Sequence, residues 1–192
     1  MNVKVTRLTS KELVDRVTSY TVHREVHPNY RKLLHAGHSV IRADLYLIEL
    51  NDVPIEQRDH LTRHKVGIEF WCQTHRDDRT GETPMTVTYE TPTNMAVICN
   101  AETLMNLAHK RLCFMSHHKT VELVNMIKAE VAKINPDLAD EMVPMCYYRK
   151  HCPELKSCGF YENLVIEPLI KIVFDGTLDE EYRKENLRRF FK

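Results

Sequence analysis

Glycine is scarce in this chain, with 5 among 192 residues, and tryptophan occurs once. Neither a G-x-G-x-x-G turn nor a P-loop is present, and H-E-x-x-H and G-x-S-x-G are missing as well. The common dinucleotide, nucleoside triphosphate, zinc-protease and serine-hydrolase signatures are therefore all lacking. Excess charge of one sign is absent too: 27 Lys and Arg balance 27 Asp and Glu. A domain that grips a nucleic-acid polymer is usually strongly basic, so that class is disfavoured. No run approaches the ~18 apolar residues of a membrane helix, and Met1–Arg7 is not followed by a signal-peptide core. A cytoplasmic location is the expectation. No internal repeat or low-complexity segment occurs.

What remains is ordinary globular composition, 43% hydrophobic and 28% charged, in a length that suits one compact domain. Such a domain buries enough core to fold without disulfide or metal staples. Eleven histidines and six cysteines stand out. In a cytoplasmic setting the cysteines are reduced thiols. Cys146, Cys152 and Cys158 follow a C-x5-C-x5-C spacing beside His151, which lacks the tight C-x2-C pair of structural zinc sites. Packed thiols are the expectation there and no metal is assigned; the alternative is a metal site built on His151 and these late cysteines.

Patterning predicts a strand over 2–7 and a helix capped by Ser10 that runs to about Thr21. Val22 to Ala36 reads as loop or broken helix. Ala43 to Leu50 reads as a buried strand and Ile55 to His64 as a helix. Lys65 to Thr83 combines Trp71 with a polar loop; either the aromatic pins a solvated loop or the loop binds something. Short strands are expected at Thr86–Tyr89 and Met95–Cys99, then a helix over 101–115 capped by Asn100. A further helix spans His118 to Ile134, with Leu123, Val124, Ile127, Val131 and Ile134 on one stripe and Asn135-Pro136 as its stop. His117 and His118 are expected at the surface or at a helix junction, pointing apart.

Arg111 shares the face of Leu104, Leu107 and Ala108. A guanidinium there needs a counterion: an internal ion pair or a route to solvent, or else a bound anion. Arg63, His64 and Lys65 close a helix with consecutive cationic groups. They either complement its C-terminal dipole or hold a phosphate-rich ligand.

These segments carry a family resemblance. G-H-S-V (37–40), an apolar strand, R-H-K (63–65), a polar loop and N-A-E-T-L-M-N-L-A-H-K-R (100–111) occur in the order seen in the flavin-dependent thymidylate synthases. P-M-C (144–146) and C-P-E-L-K-S-C-G (152–159) extend the likeness to about residue 160. The resemblance implies a single α+β domain over 1–160, with a mixed or antiparallel sheet packed with helices. Residues 161–192 would be a C-terminal extension, helical, with a packing or assembly role. It also implies a homotetramer with FAD sites between subunits. The reaction would methylate a pyrimidine deoxynucleotide at C5, dUMP in the family, with methylenetetrahydrofolate and NADPH and without an enzyme nucleophile. Position by position, it places His38, Arg63, His64, Lys65, Asn100 and Asn106 at the flavin. It places His60, Arg63, Trp71, Gln73, His75, Arg76 and Arg111 at the nucleotide.

The chain departs from the family pattern where the nucleotide pocket is shaped. Lys65 replaces an arginine, Gln73 the motif serine, His75 an arginine, Trp71 an acid, His60 a glutamine and Glu102 a helix arginine. These exchanges point either to an altered substrate, such as dCMP or a hydroxymethyl product, or to a non-catalytic relative that binds a nucleotide or a protein partner.

Overall fold

A computed structural model describes residues 1–81 and 86–163. All but the beginning of the expected C-terminal extension lies outside the described residues. The elements run β1 (Asn2–Arg7), α1 (Lys11–Val22), α2 (Tyr30–His35), a 3₁₀ turn (Ser39–Ala43), β2 (Leu45–Pro54), α3 (Ile55–Leu61), β3 (Ile68–Cys72) and α4 (Asp77–Thr80). Then follow β4 (Pro92–Asn100), α5 (Ala101–Arg111), α6 (His118–Ile134), α7 (Pro136–Glu141), α8 (Met145–Arg149) and α9 (Phe160–Asn163). This is an α+β architecture, as expected. The chain divides into two compact units, residues 1–107 with 126–142, and residues 108–125 with the chain from Val143 onward.

The first unit holds a four-stranded antiparallel sheet in the order β1-β2-β4-β3. Register explains its one-sided core. Val5, Ile48 and Val97 lie opposite one another, as do Val3, Leu50 and Met95, and all six are buried. The alternate positions Lys4 and Glu49 pair in solvent at 3.4 Å. The expected strand at 43–50 thus alternates, with one face buried, and runs on to Pro54 past a bulge at Asp52. Thr86–Tyr89 is not a strand; Thr88 instead closes a turn through the Thr91 amide and hydroxyl.

Ser10 caps α1 by accepting the Leu13 amide, and Asn135 caps α7 by accepting that of Leu138. The bounds of α6 are the expected ones, and Leu123, Val124, Ile127 and Val131 are buried along it. Ile134 departs from the stripe and is 39% exposed at the last turn. α3 ends at Leu61 and α5 at Arg111, both shorter than their sequence patterns.

A polar hub inside the first unit was not foreseen. The Asp44 carboxylate is fully buried at the end of the 3₁₀ turn. Arg7 forks onto it at 2.8 and 3.1 Å, Thr9 donates at 3.1 Å, Tyr46 at 2.6 Å and Tyr30 through a short bond. The Asn135 amide completes the group, 2.7 Å from the Tyr46 hydroxyl. Burial, with Asp44 alongside, drives both phenols far above the ordinary tyrosine range, so they stay protonated donors. A carboxylate this deep persists because each oxygen has donors. The apolar run A-D-L-Y-L-I-E-L contained the signal: an acid leading a buried strand needs partners.

The second unit has a small core of Cys146 and Phe160, with Phe114 stacked on Phe160 at 4.4 Å. His109 is buried, its Nδ1 2.7 Å from the Val143 carbonyl and its ring beside Tyr148. His117 and His118 do not point apart: their ring centroids are 4.5 Å from one another. His117 precedes α6, so the helical angle between neighbouring residues does not apply to it. Burial, with Cys113, Cys158 and Cys152 near it, pushes the Cys146 thiol up to about 12. Among the described residues no helix is long and apolar enough to cross a membrane.

Candidate functional site

The first turn of α5 gathers three segments far apart in sequence. Asn100, the last residue of β4, accepts the Thr103 amide at 2.9 Å through Oδ1 and thereby starts the helix. The Thr103 hydroxyl lies 3.1 Å from the carbonyls of Val66 and Gly67, close enough to donate to them. That contact docks the end of the loop carrying Arg63, His64 and Lys65. Gly67 has φ +69°, and a Cβ there would stand 2.6 Å from Thr103 Oγ1 and 2.9 Å from Asn100 Nδ2. Glycine is needed at this place for both reasons.

The third segment is the 3₁₀ turn that follows His38. Asp44 accepts the Ala101 amide at 2.9 Å through its backbone carbonyl, so the hub and α5 share a residue. Arg42 forks onto Glu102 at 2.7 and 3.1 Å. Glu102 thus has a cation supplied from the neighbouring turn. His38 caps the turn, its Nδ1 accepting the Val40 amide at 3.4 Å. That role leaves the proton on Nε2, which can donate outward. His38, Arg63 and Lys65 are exposed and His64 is half-buried. The segments that carry these cationic and N–H donor groups thus both join the first turn of α5.

The other expected site residues sit elsewhere. Trp71, 54% exposed on the edge strand β3, lies opposite Ala96. Gln73 donates its amide to the Asn94 carbonyl at 2.8 Å and accepts the Asn94 amide at 3.1 Å through Oε1. Asn94 is six residues before Asn100, a separation of about 20 Å along an extended strand. Gln73, His75 and Arg76 thus follow the far end of β3, remote within one chain from the α5 terminus. Arg76 is engaged by Asp78 at 2.8 and 2.5 Å, whereas His75 is half-buried with a shielded Nε2 that has no partner. His60 is half-buried in the last turn of α3. Asn106 is exposed, one helical turn beyond Glu102 on α5. Arg111 lies in the second unit, half-buried at the end of α5.

Arg42, Thr103 and Gly67 were missed from sequence. Only Gly67 carried a signal, as a lone glycine two residues beyond the cationic triplet. The other two matter through partners 60 and 37 positions away.

No family model matches the chain, and no curated protein matches it by sequence. Solved structures do match. Thymidylate synthase X from Helicobacter pylori, solved with FAD and dUMP, superposes with a TM-score of 0.60 at 11% identity, over 74% of this chain and 99% of that one. The likeness is one of fold. Another structure, of the flavin-dependent thymidylate synthase from Helicobacter pylori complexed with FAD and dUMP, gives 0.61 at 12% identity, over 74% and 100%. A UMP/dUMP methylase from Streptomyces cacaoi, bound with 5-Br dUMP, gives 0.55 at 13% identity, over 73% and 94%.

Proposed function

We propose that this protein binds FAD and a pyrimidine deoxynucleotide and methylates the base at C5, drawing the one-carbon unit from methylenetetrahydrofolate and reducing power from NADPH. The observation that carries this reading is the meeting of the His38 turn, the Arg63–Lys65 loop and Asn100 at the first turn of α5. It occurs in a fold shared with structures that hold FAD and dUMP. The residues fit a flavin dinucleotide: cationic side chains for the pyrophosphate, His38 Nε2 and the Asn100 and Asn106 amides for polar edges, and Glu102 neutralised by Arg42.

When bound, the flavin supplies the redox chemistry. The chain's own residues bind and orient. Arg63, His64 and Lys65 hold anionic groups beside α5. Arg111 serves the nucleotide, where a guanidinium can bond a phosphate bidentately. His60, His75 and Arg76 border the same ligand. Trp71 offers an exposed ring on which a base can stack.

Gln73 sharpens the choice of substrate. Its carboxamide oxygen is committed to Asn94, so its NH₂ is the group that reads the base. A donor suits the C4 carbonyl of uracil, whereas cytosine presents an amine there. We therefore assign dUMP rather than dCMP. Because Gln73 and Asn100 lie about 20 Å apart along β4 in one chain, the complete pocket forms between copies, in a homotetramer. The cytoplasm is the compartment that fits its reduced thiols.

The test is a reconstitution. The purified protein should take up FAD, bleach with NADPH and convert dUMP to a product one methyl group heavier with methylenetetrahydrofolate. A preparation that takes up no FAD rejects the reading. A second reading, a non-catalytic nucleotide binder, draws on the Arg76–Asp78 pair, which occupies an arginine otherwise available to substrate. Binding of dUMP without flavin uptake would favour it.

A further inference from the structure

We propose that Cys113, Cys146, Cys152 and Cys158 form a structural zinc site in the second unit. These four of the six cysteines line one small cleft, open to solvent, whose walls also include Phe114 and Phe160. They arrive from different places: Cys113 just past α5, Cys146 in α8, and Cys152 and Cys158 in the irregular stretch between α8 and α9. The sequence offered His151 as the fourth partner of the C-x5-C-x5-C run; the fold instead supplies Cys113 from 33 positions upstream of Cys146. His151 is exposed, with Nδ1 2.9 Å from the Arg149 carbonyl, and does not line the cleft. The donor set is therefore sulfur alone.

Packing by itself accounts poorly for this arrangement. Cysteines that serve as small hydrophobes are usually fully buried, as Cys99 is at 2% exposure. Cys113, Cys152 and Cys158 are instead half-buried at the edge of an accessible cleft, and none of the four is in a disulfide. Backbone amides already face two of the sulfurs, that of Met115 onto Cys113 and that of Tyr147 onto Cys146. Amides hydrogen-bonded to sulfur are the outer-shell partners that orient and stabilise metal-bound thiolates. Glu154, on the same wall, is held by Lys110 at 3.3 Å and does not compete as a ligand.

Four soft thiolates select zinc or an iron–sulfur cluster over hard cations. A mononuclear site needs sulfurs about 2.3 Å from the ion in a tetrahedron. Among the described residues no three His, Cys, Asp or Glu side chains are already arranged to hold an ion. Binding must therefore draw the sulfurs inward. That movement would fall on the irregular 150–159 stretch between α8 and α9, which carries two of the four cysteines. Each thiol that binds releases its proton to the buffer. With four protein ligands the ion has no open position, so its role is to tie the α5–α6 turn to the segment after α8.

The test is independent of flavin and nucleotide. The full chain, purified without chelators, should contain about one zinc per chain by elemental analysis. Cys113→Ser, Cys146→Ser, Cys152→Ser and Cys158→Ser should each lose it, while Cys72→Ser and Cys99→Ser keep it. Should the serine variants fail to fold, cobalt(II) added to the wild-type apoprotein should give the intense visible bands of a tetrahedral thiolate complex, abolished by zinc. A metal-free protein that binds no added zinc overturns the proposal. So do an octahedral cobalt spectrum, iron with labile sulfide, or equal zinc loss from Cys72→Ser.

Discussion

Arg42 and Glu102 are joined by two hydrogen bonds, Nε to Oε2 at 2.7 Å and Nη2 to Oε1 at 3.1 Å, across 60 residues of sequence. The pair brings the turn after His38 to the first turn of α5 and neutralises the acid that stands there. Its arginine side chain is 60% exposed, so the contribution to stability is small. Arg42→Ala should leave the urea unfolding midpoint nearly unchanged. It should weaken FAD binding by about fivefold, the equivalent of about 1 kcal/mol, because Glu102 then repels the anionic ligand. Adding Glu102→Gln should restore most of that affinity in a fluorescence titration. Unchanged FAD affinity in Arg42→Ala would confine the pair to a structural role.

Asp44 gives the opposite balance. Its carboxylate is fully buried and bonded by Arg7, Thr9, Tyr30 and Tyr46. Asp44→Asn leaves the Arg7 guanidinium without its counter-charge and sets an amide NH₂ against donors. A loss of about 3–5 kcal/mol is expected, the usual cost of breaking a buried pair from one side. The midpoint of urea unfolding measures it. A loss below 1 kcal/mol would mean the hub is not a stabilising element.

Local signals in the sequence were read well. Ser10 and Asn100 each announced a helix start, Asn135-Pro136 announced the end of α6, and the stripe from Leu123 to Val131 located that helix; that Asn135 also caps α7 was not read. These depend on neighbours within four positions. Thr86–Tyr89 has strand composition but closes a turn, in which Thr88 bonds the hydroxyl and amide of Thr91. The site was legible in part for the same reason. Its motifs named the His38, Arg63 and Asn100 segments, but only the fold shows that they meet at α5 while Gln73 does not. Neither the Asp44 hub nor the association of Cys113 with Cys146 could be read from spacing, since Arg7, Thr9 and Asn135 reach Asp44, and Cys113 reaches Cys146, across more than thirty positions.

Acid stability should reflect Asp15. Burial works against its charge, yet Lys11 at 2.7 Å and His27 at 3.1 Å outweigh that and hold its carboxyl below the ordinary carboxylate range. A depressed folded pKa makes this contribution complete above the unfolded value of about 3.9 and lost as pH falls below it. Asp15→Asn should therefore lower stability at neutral pH and flatten the decline below pH ~4. Urea midpoints measured for both proteins from neutral pH down to pH ~3 would show converging curves. Parallel curves would remove Asp15 from the acid response.

Gly67 and Gly81 form a matched comparison. Both have positive φ, +69° and +71°, but a Cβ at Gly81 meets nothing within 4 Å while one at Gly67 meets Thr103 and Asn100. Gly81→Ala should cost about 1–2 kcal/mol from backbone strain alone. Gly67→Ala should cost more and also weaken FAD binding, because relieving the clash moves the Arg63–Lys65 loop off α5. Equal losses at the two positions, with FAD affinity intact, would show that the close approach at Gly67 has no part in the site.

Gln73 tests the identity of the base. Gln73→Glu keeps an oxygen for the Asn94 amide but replaces the NH₂ donor with a second acceptor. Uracil's C4 carbonyl would then face a carboxylate oxygen, while cytosine's amine would gain an acceptor. The ratio of dUMP to dCMP affinity should fall by about tenfold or more, since one hydrogen bond made or lost is worth about 1 kcal/mol on each side of the comparison. FAD binding should be unchanged, because Gln73 is assigned to the base and the substitution keeps its Asn94 contact. Competition between the two nucleotides, read by titration calorimetry on wild type and variant, gives the ratio directly. A ratio that does not move would take Gln73 out of base recognition and leave Trp71 stacking as the contact on that side.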